Sequence, residues 1–395
     1  MAKECIGIMG GTFNPIHCGH IRMALTAREK AGLDRVLVVP TGNPPHKKHI
    51  APAEDRWRMV CAACARYPEL SPSRVEIDRQ GVIYTVDTLT LLHQEHPKAE
   101  LFYIIGADTL MELHNWRRYE EVLHMCTFLV CPRPWDVTPA ALVEQRRTLE
   151  ALGGRFITLE MEPMDVSSTD IRQALDNDQP TALLPVPVRE YCAVRGLYGM
   201  DSRIPHAEGW LDRLFADLSV KRFAHTLAVA HTARHLAVLH HADAYRAEVA
   251  ALLHDCAKCL PLKEMQRIAR DNALTGDEDI LASGALLHSV TGAHLASSVY
   301  GVEDPSVLQA ILRHTTGSPG MTALDMIVYL ADKIEPTRDS YPLLEKVRML
   351  AQLSLTRAMI ASMEGTAGHV KKGGKALHPQ TLQTLEWLHT LDANS

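Results

Sequence analysis

The chain changes character halfway along, and the period of its apolar positions marks the change. In the first half, short apolar runs alternate with helix-like stretches. Cys5 to Met9, Val36 to Pro40, Val75 to Ile77, Leu101 to Gly106, Phe128 to Cys131 and Phe156 to Leu159 read as buried strands. Asp55 to Arg66 and Val86 to Glu95 read as helices between them. Near-continuous apolar strands alternating with helices predict a parallel sheet covered on both faces. Ligands of such sheets bind beyond the carboxyl ends of the strands, so the loops after the strands are where to look. From Gly209 onward the strand signals fade and a helical pattern takes over. Two domains are the natural division of 395 residues. The expected bounds are 1–200 for the α/β part, 201–208 for a linker containing Pro205, and 209–395 for an all-α part.

Composition narrows the partners. A net charge of −6 does not favour nucleic acid. No apolar run is long enough to span a bilayer and no basic-then-apolar segment opens the chain, so no membrane partner and a cytoplasmic location are expected. Nine cysteines, an odd count at irregular spacing, argue against a disulfide framework. The pairs Cys61–Cys64 and Cys256–Cys259 lie in Ala-rich, helix-like segments and read as small core residues. Oligomeric state is not legible.

The loop after the first strand carries the strongest chemistry. It runs Gly10-Gly11-Thr12-Phe13-Asn14-Pro15-Ile16-His17-Cys18-Gly19-His20 and leads into an apolar-periodic helix. Glycines let backbone approach a ligand, and the free N–H groups of a helix start face anions. Two imidazoles three residues apart share one face of that first turn, where they can stabilise charge on phosphate oxygens. Further on, Val166-Ser167-Ser168-Thr169-Asp170-Ile171-Arg172 is a hydroxyl-capped helix start with a cation one turn in, a second phosphate grip. Asp108, at a strand end in Gly106-Ala107-Asp108, is placed to accept from ribose hydroxyls, and Trp116 offers either a flat face for a ring or core packing. The loop with His46, Lys47 and Lys48 is cationic and reads equally as a solvated surface; Thr85 reads as a helix cap.

The GGTFNPxHxGH run resembles the HxGH nucleotidyltransferase signature in the form of the bacterial nicotinate-nucleotide adenylyltransferases. The resemblance implies a Rossmann-like parallel-sheet domain binding ATP, with its Mg²⁺, and nicotinate mononucleotide. It implies phosphate contacts from Gly10, Gly11, Thr12, Phe13 and Asn14, with His17, His20, Lys47 and Arg172 as the cationic catalytic set. His46 would touch substrate, Thr85 and Trp116 the nicotinate end, Gly106 and Asp108 the nucleotide, and Ser168 and Thr169 the triphosphate.

In the second half, single polar residues end apolar helical runs: His254-Asp255 after Val249 to Leu253, His288 after Leu287, His314 after Leu312-Arg313, and Asp332 after Ala331. A buried carboxylate beside an imidazole needs a charge partner, and a metal supplies it. The order His225, His254-Asp255, His288, His314, Asp332 resembles the HD-domain phosphohydrolases, nearest the YqeK-like symmetrical diadenosine tetraphosphate hydrolases. That resemblance implies a helical bundle in which these six residues hold two iron-type or other divalent ions, with Asp255 bridging. Lys258, one helical turn past His254, would face a substrate phosphate, and Thr315 to Gly317 would reach the substrate. The sequence thus predicts a fused enzyme that makes deamido-NAD and cleaves diadenosine tetraphosphate to two ADP. Two alternatives stay open: another adenylyl acceptor, such as phosphopantetheine or a flavin mononucleotide, and a non-catalytic nucleotide-sensing second domain.

Overall fold

The computed structural model describes residues 3–43, 50–132, 138–162, 164–177, 179, 181–372 and 377–393. They form two compact units, residues 1–189 with 197–200, and 190–196 with 201–395.

The first unit runs β1 (Cys5–Gly11), α1 (Cys18–Ala31), β2 (Arg35–Pro40), α2 (Ala53–Cys64), β3 (Leu70–Pro72), α3 (Thr85–Glu95), β4 (Glu100–Gly106), α4 (Ala107–Glu112), α5 (Tyr119–Met125), β5 (Thr127–Cys131), α6 (Pro139–Ala151), β6 (Arg155–Thr158) and α7 (Ser168–Asp176). Helix α8 (Val186–Arg195) belongs in part to each unit. All strand pairs are parallel, in the order β3-β2-β1-β4-β5-β6. The chain therefore winds outward from β1 in one direction, returns, and winds outward from β4 in the other. The crevice between the carboxyl ends of β1 and β4 is the switch point where such sheets bind ligands. Ile6, Ile8, Tyr103, Ile105 and Phe128 pack with α3 residues Leu89 and Leu92 in one core on one side of the sheet. This is the doubly wound α/β architecture expected from the strand pattern.

Two local readings change. The third strand is Leu70–Pro72, and the expected strand Val75 to Ile77 is turn. Proline lacks a ladder donor but is tolerated on the short edge strand. Arg74 meanwhile holds the following turn through Asp78 at 2.8 Å and clasps Glu54 at 2.7 Å. Thr85 is not a cap. Tyr84 is the cap residue of α3, and its N–H donates to the Asp87 carboxylate at 3.1 Å.

The second unit is helical: α9 (Ala207–Asp217), α10 (Val220–Leu239), α11 (Ala244–Leu253), α12 (Leu262–Asp271), α13 (Glu278–Ala282), α14 (Gly284–Ser298), α15 (Pro305–Arg313), α16 (Ala323–Ile334), α17 (Leu344–Leu353), α18 (Leu355–Lys372) and α19 (Pro379–Ala393). Helices α10 and α16 are buried along most of their length, as helices apolar on nearly all sides must be. The 201–208 stretch packs within this unit. Ile204 is fully buried, Arg203 pairs with Glu190 and Glu248, and α9 begins at Ala207. Helices α17 and α18 are parted at Ser354, whose extended backbone ends one and whose hydroxyl accepts from Arg357 N–H in the next. Cys61 and Cys64 are buried on α2, whereas Cys256 is buried and Cys259 exposed in turns after α11. Among the described residues no helix is long and apolar enough to cross a membrane.

Candidate functional site

In the first unit, a cavity of about 580 Å³ opens over the β1/β4 switch point. The glycine-rich loop forms its floor. β1 and β4 approach closely there, so a Cβ at Gly10 would fall on the Tyr103 hydroxyl. His17 caps α1 and His20 sits one turn in. The His17 backbone N–H donates to His20 Nδ1 at 3.2 Å, so a neutral His20 keeps its proton on Nε2 as a donor. The two rings stack with centroids 3.6 Å apart.

Helix α7 supplies the facing wall. Ser167 caps it, accepting from Asp170 N–H at 3.1 Å, and the Ser168 hydroxyl donates to Pro15 O at 3.0 Å. Arg172 reaches across to Asn14 O at 2.9 Å and to Thr169 Oγ1 at 3.1 Å. The second phosphate grip is thereby fastened to the first by side chains about 150 residues apart in sequence. An anion in this cavity meets two histidines, a guanidinium and two helix N-termini.

Thirteen expected residues line this cavity: Gly10, Gly11, Thr12, Phe13, Asn14, His17, His20, Gly106, Asp108, Trp116, Ser168, Thr169 and Arg172. Asn14, besides lining the cavity, braces the loop. Its Oδ1 accepts from Ala51 N–H at 3.0 Å and from the Tyr198 hydroxyl at 2.9 Å, so it ties the loop to its neighbours. Thr85 does not line the cavity; it hydrogen-bonds Tyr103, which does, and burial pushes the Tyr103 phenol up. Trp116 lies edge-on to the Tyr103 ring, with centroids 5.8 Å apart. His46 and Lys47 lie outside the described residues.

Sequence reasoning missed Arg56. Fully buried on α2, it donates to the carbonyls of Thr12 (3.0 Å), Thr41 (2.5 Å), Gly42 (2.7 Å) and Ala51 (3.0 Å). Burial pulls its pKa down. It pins the glycine-rich loop to both ends of the segment that carries His46 and Lys47. An arginine in a helix ordinarily reads as surface, and no sequence signal marks this one.

In the second unit the six expected residues converge in one buried centre. His225 comes from α10, His254 and Asp255 from the end of α11, His288 from α14, His314 from the end of α15 and Asp332 from α16. One set of ligand atoms, from His225, His254 and Asp332, lies within 4.8 Å of one another, as does a second from His254, Asp255 and His314. His288 Nε2 stands 3.1 Å from Asp255 Oδ1 and 3.0 Å from His314 Nε2.

The imidazoles are oriented from behind. His254 and His314 each present Nδ1 to a backbone carbonyl at 2.6 Å, on Ala251 and Ile311. Donation there leaves Nε2 as the lone pair facing the centre. His254 Nε2 is buried without an aligned hydrogen-bond partner, 3.4 Å from Asp255 Oδ2. His225 uses Nδ1 for the buried Glu335 carboxylate at 3.1 Å and turns Nε2 to Asp332 Oδ1 at 3.0 Å. Glu335, one turn past Asp332, was missed; that spacing was its only sequence signal.

The electrostatics suit a cation. Burial works against ionised Asp255 and Asp332, yet the groups around them hold both carboxyls well below the usual range. Burial also opposes a charged His254, but those two carboxylates lift it to about 9. The potential that draws a proton to Nε2 would draw a metal ion. His314 is driven well below its ordinary value by burial and by the neighbouring imidazoles, which keeps it neutral as a ligand must be. The donor set of nitrogen and oxygen without thiolate fits divalent iron or manganese.

Lys258 is not on a continuing helix. Helix α11 ends at Leu253, and the chain tightens into turns closed by Cys256 N–H to Leu253 O and Lys258 N–H to Asp255 O. Its ammonium still reaches the centre, 3.2 Å from His288 Nε2. Thr315 Oγ1 sits 3.0 Å from Ser289 Oγ.

Known proteins divide along the same line. Residues 8–174 match the cytidylyltransferase-like family, and residues 222–337 match the HD domain. A probable nicotinate-nucleotide adenylyltransferase of Corynebacterium kroppenstedtii is 41% identical over 208 residues, 52% of this chain and 96% of the relative. A Clostridium acetobutylicum crystal structure, described as a predicted HD superfamily hydrolase involved in NAD metabolism, is 35% identical with a TM-score of 0.46, covering 47% of this chain and 97% of that one. A Mycoplasma genitalium protein named probable nicotinate-nucleotide adenylyltransferase/Ap4A hydrolase is 30% identical over 341 residues, 85% of this chain and 89% of the relative. The chain belongs to the nicotinate-nucleotide adenylyltransferase family, in the form that carries an HD domain after the transferase domain.

Proposed function

We propose that the chain is bifunctional, with a transferase domain over 1–200 and a phosphohydrolase domain over 209–395. The first domain joins nicotinate mononucleotide to the adenylyl group of ATP. The acceptor phosphate oxygen attacks the α-phosphorus, the bond to the β-phosphate breaks, and pyrophosphate leaves with its Mg²⁺. No side chain forms a bond. His17, His20 and Arg172 hold the triphosphate in line and stabilise charge on the oxygens during displacement, with Lys47 as a further cation. The observation that carries this reading is the pairing of two phosphate grips, the His17–His20 turn and the α7 start, across one cavity at the switch point. Nicotinate mononucleotide is favoured over other acceptors by the naming of the Corynebacterium and Mycoplasma relatives.

The second domain hydrolyses diadenosine tetraphosphate symmetrically. Water adds to one of the two inner phosphorus atoms, the oxygen bridge between them breaks, and two ADP leave. His225, His254, Asp255, His288, His314 and Asp332 would hold two divalent ions, Asp255 between them, and Glu335 keeps the His225 ring oriented. Such ions supply an activated water and a clamp on the phosphate oxygens. Lys258 stands beside the ligands to meet a phosphate. The convergence of six buried N and O ligands carries this reading, and the Mycoplasma relative's name supports the substrate.

One preparation tests both halves. Purified protein is expected to hold two ions per chain, to form deamido-NAD, and to release ADP alone from diadenosine tetraphosphate. Release of ATP with AMP would reject symmetrical cleavage. Metal-free protein without hydrolysis would favour the sensing module, and preference for another acceptor would reject the transferase assignment. His254→Ala is expected to abolish hydrolysis and leave adenylyl transfer intact.

A further inference from the structure

The buried centre of the second unit is ringed by cations that its proposed chemistry has not used. Arg222 Nη1 donates to Asp255 Oδ2 at 2.7 Å. Arg338 donates through Nη2 to Asp332 Oδ1 at 2.9 Å and through Nε to the Asp332 carbonyl at 2.8 Å. Lys333 Nζ donates to Asp332 Oδ2 at 2.8 Å. These three side chains are 29%, 32% and 27% exposed, so each touches a buried carboxylate on one side and solvent on the other.

Two features of this ring matter. The first is which oxygens the guanidiniums use. Asp332 Oδ1, bonded by Arg338, is also the oxygen 3.0 Å from His225 Nε2 and 3.8 Å from His254 Nε2. Asp255 Oδ2, bonded by Arg222, is the oxygen 3.4 Å from His254 Nε2. Any divalent ion held among these imidazoles would draw on the same two oxygens, against the positive charge of the guanidiniums already bonded to them. The second is the charge. Asp255, Asp332 and Glu335 give three negative charges against four positive ones from Arg222, Lys258, Lys333 and Arg338. Two divalent ions would leave this buried centre strongly positive, which favours a polyanion as its partner.

We infer that Arg222 and Arg338, with Lys333, serve two partners in turn: the ligand carboxylates when divalent ions are absent, and the phosphates of the substrate when the ions are bound. This rests on the reading of the second unit as a metal-dependent polyphosphate hydrolase. It adds that metal loading and anion binding are positively linked. An anion that engages the guanidiniums frees the carboxylates for the ions, and ions that take the carboxylates free the guanidiniums for phosphate. Such coupling is reciprocal by thermodynamic necessity.

The test uses the full chain, Arg222→Gln and Arg338→Gln, and titration calorimetry with Mn²⁺ alone. Each substitution removes a competitor, so Mn²⁺ affinity is expected to rise, by roughly fivefold or more for a coupling of ordinary size. KM for diadenosine tetraphosphate is expected to rise in the same variants, and inorganic sulfate is expected to tighten Mn²⁺ binding in the unaltered chain but not in the double variant. Arg338→Lys, which keeps the charge, is expected to stay close to the parent in Mn²⁺ affinity. Thermal melting followed by helical circular dichroism reports whether the second unit of each variant is folded. Mn²⁺ affinity that is unchanged or weaker in both glutamine variants overturns this inference while leaving the metal site standing. A parent chain that binds no Mn²⁺ overturns the metal-site reading and this inference with it.

Discussion

Glu248→Gln isolates the effect of one buried proton on stability. Glu190 on α8 and Glu248 on α11 are both fully buried in the second unit and hydrogen-bond each other. Arg203 spans the pair, 2.9 Å from Glu190 and 3.2 Å from Glu248; Arg234 meets Glu248 at 3.0 Å, and His231 meets Glu190 at 3.3 Å. Two such carboxyls in contact cannot both ionise cheaply. Burial, then the Glu190 charge, lifts Glu248 to about 8; burial also opposes ionisation of Glu190, but His231 and Arg203 hold it down. The folded chain therefore retains a proton between pH 4.5 and about 8 that the unfolded chain has released. Stability from this group is full below the lower value and is lost as pH rises toward the upper one, by about 1.4 kcal/mol per pH unit. From pH 6 to pH 8 the loss is roughly 2 kcal/mol, because the slope falls away as the folded group itself ionises, or on the order of 5–10 °C in Tm for a unit of this size. Glutamine keeps the shape and stays neutral, so the variant lacks this loss. Scanning calorimetry of the full chain at pH 6, 7 and 8 checks it. The variant should match the parent at pH 6 and melt several degrees higher at pH 8. Parallel pH curves for the two proteins would refute a shared proton.

Three further expectations follow the same geometry. His20→Ala removes a donor from the phosphate grip, and kcat for adenylyl transfer should fall about 10²–10³-fold, with hydrolysis unchanged. Arg56→Lys cannot bond four carbonyls from one nitrogen; losing two bonds at about 1 kcal/mol each should lower kcat/KM of transfer at least about tenfold and reduce stability, read by steady-state kinetics and melting together. Glu335→Gln weakens the hold on His225 Nδ1, and Mn²⁺ affinity measured by calorimetry should drop about 10–100-fold.

Both candidate sites stand out along the chain, because their residues break local rules. Glycines, an Asn-Pro and two histidines crowd one strand–helix junction, and single acids and imidazoles end helices that are otherwise apolar. Those violations are local, so a linear reading finds them. The same reading misplaced the third strand, because Val75 and Ile77 have higher strand propensity than the Leu-Ser-Pro edge that pairs with β2. It gave no sign that Asn14 braces its loop or that Arg56 clasps four carbonyls, since both roles depend on backbone groups brought close only by packing. Glu335, Arg222 and Arg338 escaped for that reason too: a charged residue on a helix is unremarkable until a partner carboxylate or imidazole arrives from another helix. His225 meets Asp332 across 107 residues, and Arg222 meets Asp255 across 33. The chain alone determined which residues carry unusual chemistry and in what order. Tertiary packing decided which of them share a centre, which lone pairs face inward, and which cations stand beside them, because those distances depend on how helices cross, and crossing is not encoded in any one segment.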